Sequence, residues 1–493
     1  MQKKQLTLVI VSLLVVVLSV SLAYFTAQII GKGKDVLVTS TDLKIVFTDS
    51  DGAISGSNIE PGWSDTKTFT IKNDTKTEYK YNIVIKDLLN TFVTEGYLQY
   101  KITSTNDAYN MTEFKDVPKS SIATDTILAY SVVIPNGVTQ SYTIEFKYAN
   151  DESVDQSDDM GKKLSGTLFI TEGTEDPNKT LLTQLLADKT TRPGARTSFN
   201  SVLTDNNTNT LYTSTEDSKT VYYFAGNATD NWVKFGKNAS NQDLYWRIIR
   251  TNSDGSVRLL YHGTSTTATD AYIGKSAFNS SYADTVYVSY MYGNLGSVAN
   301  ARENTTDSTI KTIMDKWYKD NLNTNYGKYL STTAVYCNDR STSDNTYFGA
   351  YTRLVTNKTP SYDCATTEDK FTVDSTVGNG KLTYPIALMT ADEVSFAGGL
   401  YGTNAPTWYY NSANGSSTGS TWWWLLSPFI WNGTYASVFS VGGSSNPGRL
   451  NYNGVHNAYG VRPAISLKSC IKYSTGNGSV SDPYTIKETT SGC

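Results

Sequence analysis

The stretch Thr421–Leu467, TWWWLLSPFIWNGTYASVFSVGGSSNPGRLNYNGVHNAYGVRPAISL, decides how the rest of the chain is read. Two apolar segments, Trp422–Pro428 and Tyr459–Leu467, bracket a middle rich in Asn, Ser, Gly, Tyr and Trp. The flanks read as framework and the middle as contact surface, because rigid aromatic anchors beside small adaptable polar groups are the mixture that binding loops use. The candidate ligand-binding residues are Phe429, Trp431, Asn432 and Tyr435 in FIWNGTY, and Asn446, Arg449, Asn451, Tyr452, Asn453, His456 and Asn457 in SSNPGRLNYNGVHN. A competing reading has Phe429, Trp431 and Tyr452 simply covering a sheet. Strand alternation divides Trp422–Trp424 between core and surface. Arg462, between Val461 and Pro463 on an apolar strand, reads as a buried, paired structural arginine.

Upstream residues are expected to export and support that surface. Lys3 and Lys4 precede Leu6–Phe25, an uncharged run long enough to span a bilayer, so residues 1–30 are expected to be a signal peptide or membrane anchor. The lysines keep that end inside, and the remainder is expected on the extracellular side of the membrane, or secreted if Ser21-Leu22-Ala23 marks a cleavage site. A length of 493 residues calls for two or three domains. The net charge of -4, with no basic stripe, argues against a nucleic-acid partner. Four cysteines in an exported chain read as disulfides, and local loop closure favours Cys337 with Cys364 and Cys470 with Cys493. Zinc held by four thiolates competes, but CxxC spacing is absent. No cofactor is expected.

Residues 35–173 read as an all-β sandwich. Thr66–Lys72 and Tyr79–Ile85 alternate, and further strands are expected at Tyr97–Ser104, Thr126–Ile134, Thr139–Tyr148 and Lys163–Glu172, with Pro135-Asn136-Gly137 as a hairpin turn. The leader ending Leu22-Ala23-Tyr24-Phe25-Thr26, then Ile59-Glu60-Pro61-Gly62 and Lys67-Thr68-Phe69-Thr70-Ile71-Lys72-Asn73, resembles the TasA and camelysin group of exported proteins. That resemblance implies a spacer or assembly module, with self-assembly through the sandwich. The protease activity ascribed to camelysin lacks an HExxH motif here.

A charged joint, Glu172–Asn178, marks the boundary, and residues 174–219 read as a linker with a short helix over Thr180–Lys189. Residues 220–473 form the second domain and 474–493 a C-terminal tail. Leu244–Tyr261 reads as a hairpin about Ser253-Asp254-Gly255. Asp307–Leu322 reads as a helix with the core stripe Ile310, Ile313, Met314 and Trp317. Thr390 to Glu393 is a capping box, which accounts for Asp392 and Glu393 better than a catalytic carboxylate pair does.

The set Tyr245–Arg250, Asp254–Arg258, Tyr384–Glu393, Trp422–Pro428 and Gly460–Ala464 resembles an uncharacterised bacterial domain family related to the formylglycine-generating-enzyme version of the C-type lectin fold. The resemblance implies a compact α+β domain with a twisted antiparallel sheet and one or two helices. It does not carry chemistry over: the cysteines suit loop staples, and the calcium-loop tripeptides Glu-Pro-Asn and Gln-Pro-Asp do not occur. His262 and His456 are the only histidines, and GxSxG is absent. The expected function is surface-exposed, non-enzymatic binding of an extracellular protein or glycan. A matrix structural protein and a glycan- or cell-wall-acting enzyme are the alternatives.

Overall fold

The computed structural model describes residues 36–40, 43–49 and 53–55 by backbone, and residues 59–493 apart from 107, 112, 192–195, 204–208, 269–270, 343–344 and 406–421. The N-terminal signal or anchor helix expected at 1–30 lies outside the described residues. Among the described residues no helix is long and apolar enough to cross a membrane. The chain is mostly β with few helices, and it divides into two units, Met1–Pro177 and Asn178–Cys493.

In the first unit two antiparallel sheets share one core. One runs Val36–Ser40, Leu43–Asp49, Ser64–Asn73, Thr139–Tyr148, Leu98–Ser104, Lys115–Asp116, and the other Ala53–Ser55, Leu164–Glu172, Tyr79–Asn90, Ser120–Ile134. Alternation supplies the inward rows: Phe69, Ile71, Ile102, Ile144 and Phe146 from the first sheet meet Tyr81, Ile83, Ile85, Leu168 and Ile170 from the second. One expectation changes. Pro135-Asn136-Gly137 is not a hairpin turn, because Ser120–Ile134 pairs with Tyr79–Asn90 while Thr139–Tyr148 pairs with Ser64–Asn73 and Leu98–Ser104. The turn passes the chain between sheets, with Gly137 at φ 71° and its N–H donating to the Asn73 carbonyl.

The second unit holds one large core and, among the described residues, a smaller cluster around Tyr223, Tyr362 and Phe396. Its principal sheet centres on the hairpin Asp243–Thr251 and Val257–Gly263, with Gly255 at φ 77° in the turn, and continues through Pro463–Leu467 to Ile386–Leu388. Asp254 fixes that turn by accepting from the Ser256, Ser331 and Thr333 hydroxyls, and these bonds hold its carboxyl below its ordinary pKa against the opposing effect of burial. A second sheet runs Lys275–Ser276, Tyr459–Gly460, Trp423–Trp431, Ala436–Val441, Leu450–Gly454.

The main helix spans Thr309–Asn321 behind the N-cap Ser308. Ile310 and Met314 are buried as expected, but Ile313 is 37 % exposed and the inward face also includes Lys311 and Tyr318. The stripe turns because Lys311 can be buried: Asp307 and Asp315 hold its ammonium at 3.2 and 2.7 Å. The segments read as linker and tail pack into this unit. Helix Leu181–Asp188 is capped by Thr180, and its Leu181 N–H donates to the Ile471 carbonyl. Tyr484 is fully buried, and Cys493 is bonded to Cys470. The second disulfide joins Cys337 and Cys364.

Candidate ligand-binding surface

Strands Trp423–Trp431, Ala436–Val441 and Leu450–Gly454 form an antiparallel meander. Its register pairs Phe439 with Tyr452, Ser440 with Asn451 and Val438 with Asn453. Side chains alternate across a sheet, so Tyr452 lies on one face and Asn451 and Asn453 on the other. The second face is internally satisfied: Asn453 Nδ2 donates to Ser440 Oγ at 2.8 Å, and Tyr459 Oη donates to Asn453 Oδ1 at 3.1 Å.

The Tyr452 face is built around Phe429. That ring is 2 % exposed and stacks on Tyr452 at 3.9 Å, 6° from parallel, and on Tyr401 at 5.7 Å. Tyr351 and Phe439 meet it edge-on at 5.2 and 4.9 Å. Tyr347 meets it at 6.3 Å and stacks on Tyr351 at 3.9 Å. Each such pair contributes about 0.5–1.5 kcal/mol beyond area burial, so the cluster is a rigid unit. Phe429 is thus the hub beneath the surface rather than a contact residue. The accessible rings are Tyr452, 36 % exposed, and the half-buried Tyr347, Tyr351 and Tyr401. Burial raises the Tyr401 pKa, and the nearby phenols of Tyr452, Tyr351 and Tyr347 raise it further, placing the hydroxyls in one neighbourhood.

Sequence reasoning missed Tyr347, Tyr351 and Tyr401. Residues 346–348 add alongside Trp423–Trp431, with Trp431 N–H donating to the Thr346 carbonyl and Phe348 N–H to that of Phe429. Tyr401 arrives through a parallel bridge to Leu450. Both approaches are long-range pairings. The local hint in the sequence is the Tyr347/Tyr351 spacing of four, and the first of these precedes the helix Gly349–Tyr351.

The remaining expected residues are dispersed. At one end of the meander, Asn432 Oδ1 accepts from the N–H groups of Thr434 and Tyr435, Asn457 Nδ2 donates to the Gly454 carbonyl, and His456 packs on Tyr282 at 4.5 Å. Tyr435 is exposed there and Trp431 is half-buried. At the other end, the Asn446 N–H closes a turn on the Gly443 carbonyl, and Arg449 Nε donates to Asn404 Oδ1 at 3.0 Å. Arg449 therefore borders the Tyr401 segment, while Tyr435 and His456 lie a strand length away.

Of Trp422–Trp424, the first is half-buried while Trp423 and Trp424 are both buried, so adjacent rings do not alternate between core and surface. Arg462 covers one at 4.8 Å, and Tyr459 and Phe278 cover the other. Arg462 is fully buried and donates to the Tyr261 carbonyl, as a structural arginine should.

Beneath the surface lies an ionic network. Glu393 Oε1 accepts from Arg250 Nε at 2.9 Å and Arg258 Nη1 at 2.7 Å, and its Oε2 accepts from the Thr390 N–H at 2.9 Å. Burial works against its charge, yet the two guanidinium groups and the cap bonds outweigh it and bring the carboxyl down to about 2. Asp392 accepts two bonds from Arg353. The cavity among these groups is about 10 Å³, room for about one water. Each of these carboxylates is committed to an arginine partner.

Residues 306–469 match a family described as a domain of unknown function, DUF6273. The match takes in Tyr347, Tyr351, Arg353, Tyr401, Phe429 and Tyr452, and it leaves out the first unit. Among curated proteins none matches the chain.

Proposed function

We propose that this chain is a surface-displayed, non-enzymatic binding protein whose second unit recognises an extracellular protein or glycan through the tyrosine surface around Phe429. The observation that carries the reading is the set of half-exposed rings, Tyr347, Tyr351, Tyr401 and Tyr452, fixed on a buried aromatic hub. Tyrosines held in this way offer flat apolar area and hydroxyls at little entropic cost on binding. The disulfides suit an extracellular or oxidising compartment. The resemblance of residues 220–473 to the formylglycine-generating-enzyme and C-type-lectin group, and of residues 35–173 to TasA and camelysin, belongs to this proposal: a spacer or assembly module carries a recognition domain. An anchoring or exporting role for Leu6–Phe25 completes it.

The test is binding of the purified chain to an array of neutral glycans and a panel of extracellular proteins, beside the Tyr452→Ala and Tyr401→Ala variants. Saturable binding by the parent that both variants lose supports the reading. Binding that survives both substitutions refutes the assignment of the surface.

A matrix-forming reading also has an observation in its favour. Strand Ser120–Ile134 lies at the edge of its sheet among the described residues, and its first half is exposed, with Ile122 at 76 %. Such an edge is a template for pairing with another chain. Filaments in electron micrographs that disappear with Ile122→Lys would favour it.

A further inference from the structure

The loop that carries Tyr347 and Tyr351 is closed at its ends by the disulfide Cys337–Cys364, which spans 27 residues. A second fastening lies inside it. After helix Gly349–Tyr351 the chain continues as a π-helical turn, Thr352–Asn357, and Arg353 is on that turn. Single π-helical turns are rare and concentrate where a side chain must be aimed. The Arg353 fork donates from Nε to Asp392 Oδ1 at 3.0 Å, from Nη2 to Asp392 Oδ2 at 2.9 Å, and from Nη1 to Asp339.

Each partner is itself rooted. Asp392 is in the first turn of helix Ala391–Phe396, which the Thr390 capping box anchors, and its Oδ1 also accepts from the Ser361 N–H at 3.1 Å. Asp339 accepts from the Ser341 N–H at 2.9 Å. One guanidinium thereby ties the start of the loop at Asp339, its middle at Arg353 and its end near Ser361 to a framework helix. Both carboxylates are nearly buried, with side chains 5 % and 6 % exposed, so the geometry tolerates little slack. A lysine could keep the charge but not the two-pronged geometry.

We propose that Arg353 is a positioning residue for the tyrosine surface, acting with the Cys337–Cys364 staple to hold Tyr351, and through it Tyr347, against Phe429. The surface is then complete only where the staple has closed, which confines full binding to an oxidising compartment. The functional consequence rests on the binding reading above; the positioning itself does not.

Peptide-resolved hydrogen exchange on the full chain tests it, comparing the parent with Arg353→Lys, Arg353→Gln and the Cys337→Ser/Cys364→Ser double variant. The reporting amides are Phe348 and Trp431, whose bonds to the Phe429 and Thr346 carbonyls record loop docking. Arg353→Lys should raise exchange over residues 345–357 by about tenfold, a local opening with strand Val257–Gly263 unchanged, and combining it with the cysteine pair should raise it further. Unchanged exchange over 345–357 would overturn the proposal, as would an equal rise throughout the second unit. Arg353→Gln strands two buried carboxylates and can unfold the unit, in which case Arg353→Lys carries the test. Binding to the neutral glycan array is read in parallel. Local loosening with undiminished glycan binding would keep Arg353 as a positioning residue and overturn its consequence for binding, whereas a parent that binds nothing on the array counts against the binding reading and leaves the exchange result to decide Arg353.

Discussion

Replacing Glu393 by glutamine removes one charge and almost no volume from the centre of the second unit. In the parent, Glu393 is 1 % exposed and neutralises Arg250 and Arg258 together. Arg250 keeps Glu216 at 2.8 Å after the change, but Arg258 is left with neutral partners, the Val335 carbonyl, the Ser466 hydroxyl at 3.5 Å and the Tyr336 ring. Breaking a buried ion pair from one side costs about 3–5 kcal/mol. The depressed carboxyl leads to a similar figure: lowering from 4.5 to about 2 is worth about 3 kcal/mol. For a unit of roughly 300 residues, at ~2.1 cal/mol/K per residue, that loss lowers the melting temperature by about 5–8 °C. The pH dependence has a definite sign. The folded-state pKa lies below the unfolded one, so the stabilisation is complete above about pH 4.5 and is lost as pH falls toward 2. Calorimetry of parent and Glu393→Gln at pH 7 and pH 3 should therefore show a gap that narrows at the lower pH. A drop below about 1 °C at pH 7, or a gap independent of pH, would refute the assignment of Glu393 as the charge that holds the arginine pair.

Other substitutions separate hub, surface and staple. Phe429→Ala should destabilise the unit by about 3–5 kcal/mol in denaturant unfolding, whereas Tyr452→Ala should lower the melting temperature by no more than about 3 °C while weakening ligand binding by about thirtyfold. Removing Cys337–Cys364 should cost about 3.5 kcal/mol by loop entropy, nearly the same as removing Cys470–Cys493, because the spans are 27 and 23 residues; urea midpoints of the two double serine variants check this. His262 is fully buried, and burial, then Arg247 and Arg462, hold its pKa well below 6.5. The unfolded chain alone takes up that proton, so stability should fall by up to about 1.4 kcal/mol per unit as pH drops below 6.5. His262→Phe should flatten that slope between pH 6.5 and 5 in thermal melts.

The sequence made local features readable and left assembled ones hidden. The Asp243–Gly263 hairpin, the Thr390 cap, both disulfide pairings and the buried role of Arg462 depend on residues near each other in the chain or on simple burial rules, and each could be read directly. Alternation along Trp423–Trp431 says which side chains share a face, but not whether that face is covered. The cover comes from residues 346–351 and 401–405, far away in sequence, and their arrival turns Phe429 from a contact into a hub. Polar residues misled for a related reason. Asn432 and Asn457 are used by their own turns, and Asn453 by a neighbouring strand, so their presence in a loop-like stretch signalled backbone geometry as much as recognition. The same logic moved Ile313 outward: a period of 3.6 could not reveal that two aspartates would admit Lys311 to the core.

The most direct measurement of the central claim is an equilibrium binding isotherm of the full chain and its Tyr347→Ala/Tyr401→Ala/Tyr452→Ala variant against the neutral glycan array and the extracellular protein panel, with melting temperatures recorded alongside. The tyrosine surface predicts saturable binding by the parent, lost in the triple variant while the fold persists. Binding of equal strength by both chains, or none by the parent to any member of either panel, would contradict it.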